Sequence, residues 1–144
     1  MTTTQVLSAS ASDKDTIATL MTPYLLELEQ PAEYPYLAHY WQETEHRFPY
    51  LIKTSGSVAG FVLVRKTQCF EIAEFYIIPE QRRKAIGREA VAQALKRHPG
   101  NWLVSIDSNN LTGQAFWMKT LSHYLKGSPD AIPIDNRLTL TFSH

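Results

Sequence analysis

Apolar positions along the chain change period several times, and each change marks an element. Ile17, Leu20, Met21, Tyr24, Leu25 and Leu28 recur at steps of three and four, one face of a helix that begins after Ser12. Pro23 falls inside this series and predicts a kink or break near Thr22, because proline removes a helix N–H and disfavours α geometry before it. Ahead of the helix, Val6 and Leu7 predict a strand. After it comes a stretch rich in proline and aromatics, QPAEYPYLAHYWQETEHRFPY, the least regular part of the chain, with a short helix predicted from Leu37 to Arg47. Tyr50 to Thr54 and Ala59 to Lys66, joined by Ser55-Gly56-Ser57, read as a hairpin, and Cys69 to Ile78 adds a third strand. Helical spacing then returns: Ile86, Ala90, Val91, Ala94 and Leu95 line one face from Ala85 to about His98. Lys96, Arg97 and His98 suit the negative end of that helix, and Pro99-Gly100 stops it. Trp102 to Ile106 is a short apolar strand, Leu111 to Leu121 a last helix with Leu111, Ala115 and Met118 on one stripe, and Arg137 to Phe142 a final alternating strand. The predicted order is strand, helices, three strands, helix, strand, helix, strand.

With 144 residues the chain is expected to form one domain over residues 1–144. Apolar residues at 44% against 19% charged allow a substantial core. The formal net charge of +0 implies no general attraction to nucleic acid or to an anionic membrane, so any anion binding must be local. Cys69, the only cysteine, excludes an intramolecular disulfide and is expected to pack in the core. No basic start followed by an apolar run opens the chain, and nothing approaches the roughly 20 apolar residues of a membrane span, so a cytoplasmic location is expected. His39, His46, His98, His123 and His144 show no metal-ligand spacing with Cys69, and no metal site is expected.

One segment, Glu74 to Arg88 (EFYIIPEQRRKAIGR), concentrates chemistry. A strand that ends at Pro79 runs into a basic turn and then a helix. The first N–H groups of a helix lack partners, and its dipole adds partial positive charge there, so such a start binds anions. Arg82, Arg83, Lys84 and Arg88 surround it, and Gly87 permits close approach to the backbone. A pyrophosphate fits this arrangement; a solvated basic turn is the plainer alternative.

The segment resembles the signature of the GCN5-related N-acetyltransferase (GNAT) superfamily, in which a strand and a proline precede R-x-x-G-x-G or R-x-x-G-x-A at a helix start. Ile77, Pro79 and Arg82-Arg83-Lys84-Ala85-Ile86-Gly87 carry the likeness, with Ala85 in the place of the first glycine, a substitution read as tolerable because alanine suits helical geometry. The family's second signature, N-x-x-A-x-x-F-Y, is approximated by Asn110, Gly113, Phe116 and Trp117. The resemblance implies an α/β (α+β) fold with a mixed, mostly antiparallel central sheet, flanked by helices and splayed at a cofactor cleft between the Cys69–Ile78 and Trp102–Ile106 strands. It implies acetyl-CoA as co-substrate, with the pantetheine arm paired to the backbone of Phe75, Tyr76 and Ile77 and the pyrophosphate on the turn from Arg82 through Arg83, Lys84, Ala85, Ile86 and Gly87 to Arg88. Asn110 would bond the pantetheine arm or cap the last helix.

The implied reaction is acetyl transfer to a primary amine of a small molecule or peptide, by direct attack in a ternary complex. The alternative is a CoA-binding module or sensor without turnover. An amine of pKa ~10 must first lose a proton, at a cost of about 4 kcal/mol at neutral pH, so a base is useful. Strict alternation places Glu74 between Ile72 and Tyr76 on one strand face, beside the thioester, with Glu71 on the opposite face; an ion pair with an arginine is its structural alternative. The acid that protonates the leaving thiolate in this family is often a tyrosine at the position of Trp117, which cannot serve; Trp117 is expected beside the CoA arm or in the core, and Tyr124 is a substitute acid. The backbone N–H of Phe75 or Ile77 is a candidate for polarising the acetyl carbonyl. Tyr34, Tyr36, Tyr40, Trp41 and Glu43 are candidates for an acceptor pocket, as aromatic and acidic groups suit an amine cation. A homodimer is compatible with the reading, which assigns neither a nucleic-acid nor a membrane partner.

Overall fold

The computed structural model describes residues 3–144. Seven strands form one sheet in the order β1-β2-β3-β4-β5-β7-β6. These are β1 (Thr4–Ser8), β2 (Arg47–Thr54), β3 (Ser57–Lys66), β4 (Phe70–Ile77), β5 (Asn101–Asp107), β6 (Asp130–Ile134) and β7 (Arg137–Ser143), with helices α1 (Lys14–Glu27), α2 (Ile86–Arg97) and α3 (Leu111–Leu125). All neighbouring strands run antiparallel except β4 and β5, which are parallel and share only the pairs Phe70–Trp102 and Glu71–Leu103. Among the described residues, no helix is long and apolar enough to cross a membrane.

Helices cover both faces of β2 to β4, which explains why β3 reads as an unbroken apolar run rather than an alternating one. On one face Tyr50, Ile52, Val62, Val64 and Ile72 pack with Ile86, Ala90, Val91, Ala94 and Leu95 of α2 and with Trp117 and Leu121 of α3. On the other, Leu51, Phe61, Leu63 and Tyr76 pack with Ile17, Met21 and Leu25 of α1 and with Leu37 and Tyr40. Phe61, Val62, Leu63 and Val64 are each 0% exposed, and burying each such side chain contributes roughly 1.5–3 kcal/mol.

Several boundaries differ from the sequence-based expectation. Helix α1 runs on through Pro23 to Glu27 instead of breaking near Thr22. Packing of Met21, Tyr24 and Leu25 on both sides of the proline offsets the missing N–H bond. The helix entry is a 3-10 turn, Ala11–Asp13, whose cap residue Ser10 donates its N–H to Asp13 Oδ2 (2.9 Å), and α1 follows directly from it. The helix predicted from Leu37 to Arg47 is only a 3-10 helix, Leu37–Trp41, because Arg47 already belongs to β2. Strand β6 is absent from the predicted order, because its residues are all exposed and leave no alternation to detect. Cys69 lies half-buried just before β4 and outside both core clusters.

Both sheet edges are protected. The β1 edge is occupied by α2 side chains: Gln93 accepts from Val6 N–H (2.9 Å) and donates to the Thr4 carbonyl (2.7 Å), while Arg97 donates to the Val6 carbonyl (2.7 Å). On β6, Pro133 lacks an N–H, which disfavours pairing with a further strand.

Candidate active site

Beyond Glu71 and Leu103, β4 and β5 carry no pairing with each other, so the sheet opens between them. The rest of β4, Ile72–Ile77, is paired on one side by β3 and lacks a strand partner on the side of β5. This opening leads to the start of α2.

Pro79–Gln81 form a 3-10 turn, after which Arg83 (φ 64°) and Ala85 (φ 63°) are both left-handed. Turns of this kind aim successive N–H groups into one concavity and favour an anion there. The first bond of α2 runs from Glu89 N–H to the Ala85 carbonyl (3.0 Å), leaving the preceding N–H groups without helical acceptors. Arg83, Lys84 and Arg88 are exposed around them, while Ile86 is buried and anchors the turn. At Gly87 a Cβ would lie 3.1 Å from the Phe116 ring, a tight contact that the absence of a side chain avoids.

Two residues of this turn differ from expectation. Ala85 is not in the right-handed geometry that made its substitution look harmless; it holds the left-handed conformation that favours glycine, at a cost of roughly 1 kcal/mol. Ala85→Gly is therefore expected to raise stability by up to about 1 kcal/mol, read as a shift in denaturant midpoint at unchanged slope. Arg82 turns away from the helix start. Its Nε donates to the Ile77 carbonyl (2.8 Å) and its Nη2 bonds both oxygens of Glu27 (2.9 and 2.8 Å), with the guanidinium 5.6 Å from the Tyr76 ring centre. Arg82 thus ties the end of α1 to the end of β4, and the exposed cations facing the turn are Arg83, Lys84 and Arg88.

On the other side of the opening, Asn110 caps α3, its Oδ1 accepting from Gly113 N–H (2.9 Å). Gly113 makes room for this cap, since a Cβ there would sit 2.4 Å from Asn110 Nδ2. The Nδ2 group has no protein acceptor among the described residues. Phe116 stacks on Phe75 (5.7 Å), and Trp117 meets both rings edge-on at 5.2–5.3 Å. Trp117 is buried, part of the core that backs the opening.

Glu74 lies on the opposite face of the sheet from Phe75 and Ile77. Leu63 pairs with Glu74 and Val64 with Ile72, so Ala73 is an extra residue, a bulge that reverses the alternation. Glu74 therefore shares its face with Tyr76 but not with Ile72, and Glu71 falls on the same face as Glu74, contrary to strict alternation. Glu71 is held by Arg65, its cross-strand partner, which leaves Glu74 free of an ion pair. Instead, Tyr24 of α1 donates its hydroxyl to Glu74 Oε1 (2.7 Å). Burial pushes the Glu74 carboxyl above its ordinary pKa; the Tyr24 and Tyr34 hydroxyls oppose that shift without cancelling it. The Tyr24 phenol is raised well above its usual range, first by burial and then by the Glu74 charge. Sequence reasoning placed Tyr24 only on the apolar stripe of α1; a hydroxyl on that stripe was the available signal.

The structure does not bring Tyr124 to Glu74. Its hydroxyl lies 3.2 Å from Nδ1 of His144, at the end of the sheet where Gly100 and His144 exchange backbone bonds and β4 and β5 are still paired. It stands two helical turns, about 10 Å, along α3 from Trp117. Among the aromatic candidates, the Tyr34 hydroxyl acts on the Glu74 carboxyl, lowering its pKa against burial, Tyr40 is buried in the core, Tyr36 is exposed, and the Trp41 indole donates to the Ala9 carbonyl (3.1 Å). Glu43 pairs with Arg47 (3.2 Å) and so belongs to the surface, not to the opening.

Comparison with known proteins agrees with this geometry. The sequence profile of the Acetyltransferase (GNAT) family matches residues 14–122. No curated protein matches the chain. Similar solved structures include the PaiA N-acetyltransferase from Thermoplasma acidophilum in complex with coenzyme A (14% identity, 99% of each chain, TM-score 0.68). An acetyltransferase from Thermus thermophilus is 11% identical over 99% of this chain and 97% of its own (TM-score 0.75). YncA from Salmonella typhimurium, described as a putative acetyltransferase with its cofactor acetyl-CoA, is 14% identical over 97% and 93% (TM-score 0.65). At these identities the likeness is one of fold.

Proposed function

Since the chain belongs to the Acetyltransferase (GNAT) family, we propose that it transfers the acetyl group of acetyl-CoA to a primary amine by direct attack in a ternary complex. The observation that carries the reading is the opening between β4 and β5, with a left-handed, N–H-rich turn at one end and Glu74 on its rim. The groups present fit the cofactor. The unpaired edge at Phe75, Tyr76 and Ile77 suits an amide-bearing arm added as a further strand, and the turn from Arg83 to Arg88 suits a pyrophosphate. Bound there, acetyl-CoA supplies a thioester already activated for acyl transfer.

The protein's own groups manage the proton. Glu74, ionised, takes a proton from the acceptor ammonium, and its raised pKa makes it a stronger base than a free carboxylate. Tyr24 orients the carboxylate through its 2.7 Å hydrogen bond. The departing CoA thiolate needs no dedicated acid from this chain: Trp117 cannot donate in that way, and Tyr124 lies with His144 at the far end of α3.

The test is acetyl-CoA consumption over a panel of amines, polyamines, amino acids and peptides, with CoA binding followed by calorimetry. Binding without turnover on any acceptor would favour a CoA sensor; no binding would end the cofactor reading. Asn110 sharpens the test, because its cap and its free amide separate. Asn110→Asp keeps an acceptor for Gly113 N–H and loses the Nδ2 donor, so stability should hold while CoA affinity falls by about five- to tenfold. Asn110→Ala should lose both, with about 1 kcal/mol of stability. Unchanged CoA affinity in Asn110→Asp would leave Asn110 as a cap alone.

A further inference from the structure

The other lip of the opening is formed by β5 and β7. Val104, Ile106 and Leu140 point into the core beneath α2 and α3, so Ser105 and Asp107 of β5 and Arg137 and Thr139 of β7 project from the opposite face, the one that carries Glu74. Helix α1 packs on β3 and the Leu37–Trp41 helix on β2, and this half of the face stays open, with Ser105, Asp107 and Thr139 half-buried and Arg137 exposed.

Arg137 is held in place there. Its Nε donates to Ser105 Oγ and its Nη2 to the Ser105 carbonyl, both at 2.7 Å. Yet it has no acidic partner: the ion pairs among the described residues join His39 and Arg47 to Glu43, Arg65 to Glu71 and Arg82 to Glu27. Asp107, directly across from Arg137 in the ladder, turns its Oδ1 to Asn109 N–H (2.8 Å). A guanidinium has five N–H donors, so most of Arg137's remain available.

Register sets its relation to the base. Glu71 and Leu103 are the last paired residues; counting one pleat further on each strand, with the bulge at Ala73, puts Glu74 and Ser105 at corresponding steps on the two lips and on the same face. The seat of Arg137 therefore lies on the same sheet face as Glu74, on the opposite lip of the opening. In keeping with this, the Arg137 charge acts on the Tyr24 phenol that bonds Glu74, lowering its pKa against burial.

A fixed cation without a counter-ion, on the accessible side of a site whose base is an anion, is complementary to a ligand with one positive and one negative end. We propose that Arg137 selects the acceptor by binding an anionic group, carboxylate or phosphate, on the molecule whose primary amine is presented to Glu74. The planar fork of a guanidinium matches both oxyanions. The inference rests on the acetyl-transfer reading and narrows its substrate class to amino acids and related zwitterions.

The test compares kcat/KM at saturating acetyl-CoA for glycine, 4-aminobutyrate, 6-aminohexanoate and phosphoethanolamine with that for ethanolamine and butylamine. The parent protein should prefer at least one anionic acceptor over its neutral-tailed counterpart by tenfold or more, on the order expected for a charged hydrogen-bonded contact, and the carboxylate and phosphate arms say which group is read. Arg137→Gln should reduce that ratio by about 10- to 100-fold while turnover of the neutral-tailed amines persists. Arg137→Lys, which keeps the charge but loses the fork, should reduce it less, and serves where the glutamine variant does not fold. An equal preference in parent and variants, or none in the parent, overturns the proposal. If no amine is acetylated although CoA binds, the transfer reading fails separately. Calorimetric titration of the same anionic amines into the CoA-loaded protein then decides the matter: binding weakened by Arg137→Gln supports the anion seat, and binding that is absent or unaffected overturns it.

Discussion

Glu74→Gln is expected to lower kcat by about 10²- to 10³-fold, the usual worth of a positioned general base, while CoA affinity stays within twofold. Glutamine retains an oxygen for the Tyr24 hydroxyl, so the change removes the base without releasing its neighbour. The pH dependence follows from the direction of the shift. Turnover should rise with pH through a pKa above the ordinary glutamate value, because the working form is the carboxylate and burial resists forming it. In the glutamine variant that rise should vanish. Stability carries the opposite sign. A carboxyl whose folded pKa is raised favours folding most while protonated, and its contribution is lost as pH climbs through the folded value. Glu74→Gln should therefore unfold at the same temperature as the parent or a higher one near neutrality. A variant that keeps its turnover, or keeps the parent's pH limb, would remove Glu74 from the mechanism.

Gly60→Ala should be the most damaging small substitution near the site. A Cβ at Gly60 would lie 1.8 Å from the Tyr76 carbonyl oxygen and 2.8 Å from its carbon, atoms of the β4 backbone that cannot swing aside as a side chain can. Gly60 pairs with Ile77 beside a register shift at Ile52/Lys53, where β3 and β4 approach closely. The expected loss is about 3 kcal/mol or more, a fall in melting temperature of roughly 10 °C. The displaced strand carries Phe75, Tyr76 and Ile77, so CoA affinity should fall with stability. A melting point within 2 °C of the parent would show that β4 can shift without cost. The sequence offers only a glycine within an apolar run, where neither a turn nor a positive φ marks the constraint.

Other features were legible because they are local. The buried face of α2 is the one its three-and-four spacing describes, and Asn110 stands where capping chemistry places it. The tight β6–β7 hairpin had a readable sign as well: Asp135-Asn136 joins Ile134 to Arg137 with Asp135 at φ 53°, as two-residue hairpin turns require. Hydrophobic alternation does not mark β6, because the strand buries nothing.

The candidate site was legible in its residue types and less so in their arrangement. Arg82 fits the anion motif by spacing, yet Glu27, 55 positions away, holds it. Tyr124 was a candidate by residue type and nearness to Trp117, and lies at the wrong end of α3. Tyr24 carries no motif, and its partner Glu74 is 50 positions distant.

The amino-acid order by itself determined the helix faces, the strand succession apart from β6 and the basic turn that opens α2, because these depend on contacts within a few residues and on backbone preferences at single positions. Only the tertiary structure decided which way Glu74 points, what holds it, and that Arg137 stands on the same face across the opening. Those outcomes follow from one extra residue in the β4 register and from pairing that stops at Glu71 and Leu103. Both are settled by how separate strands and helices pack together, and no local pattern encodes them.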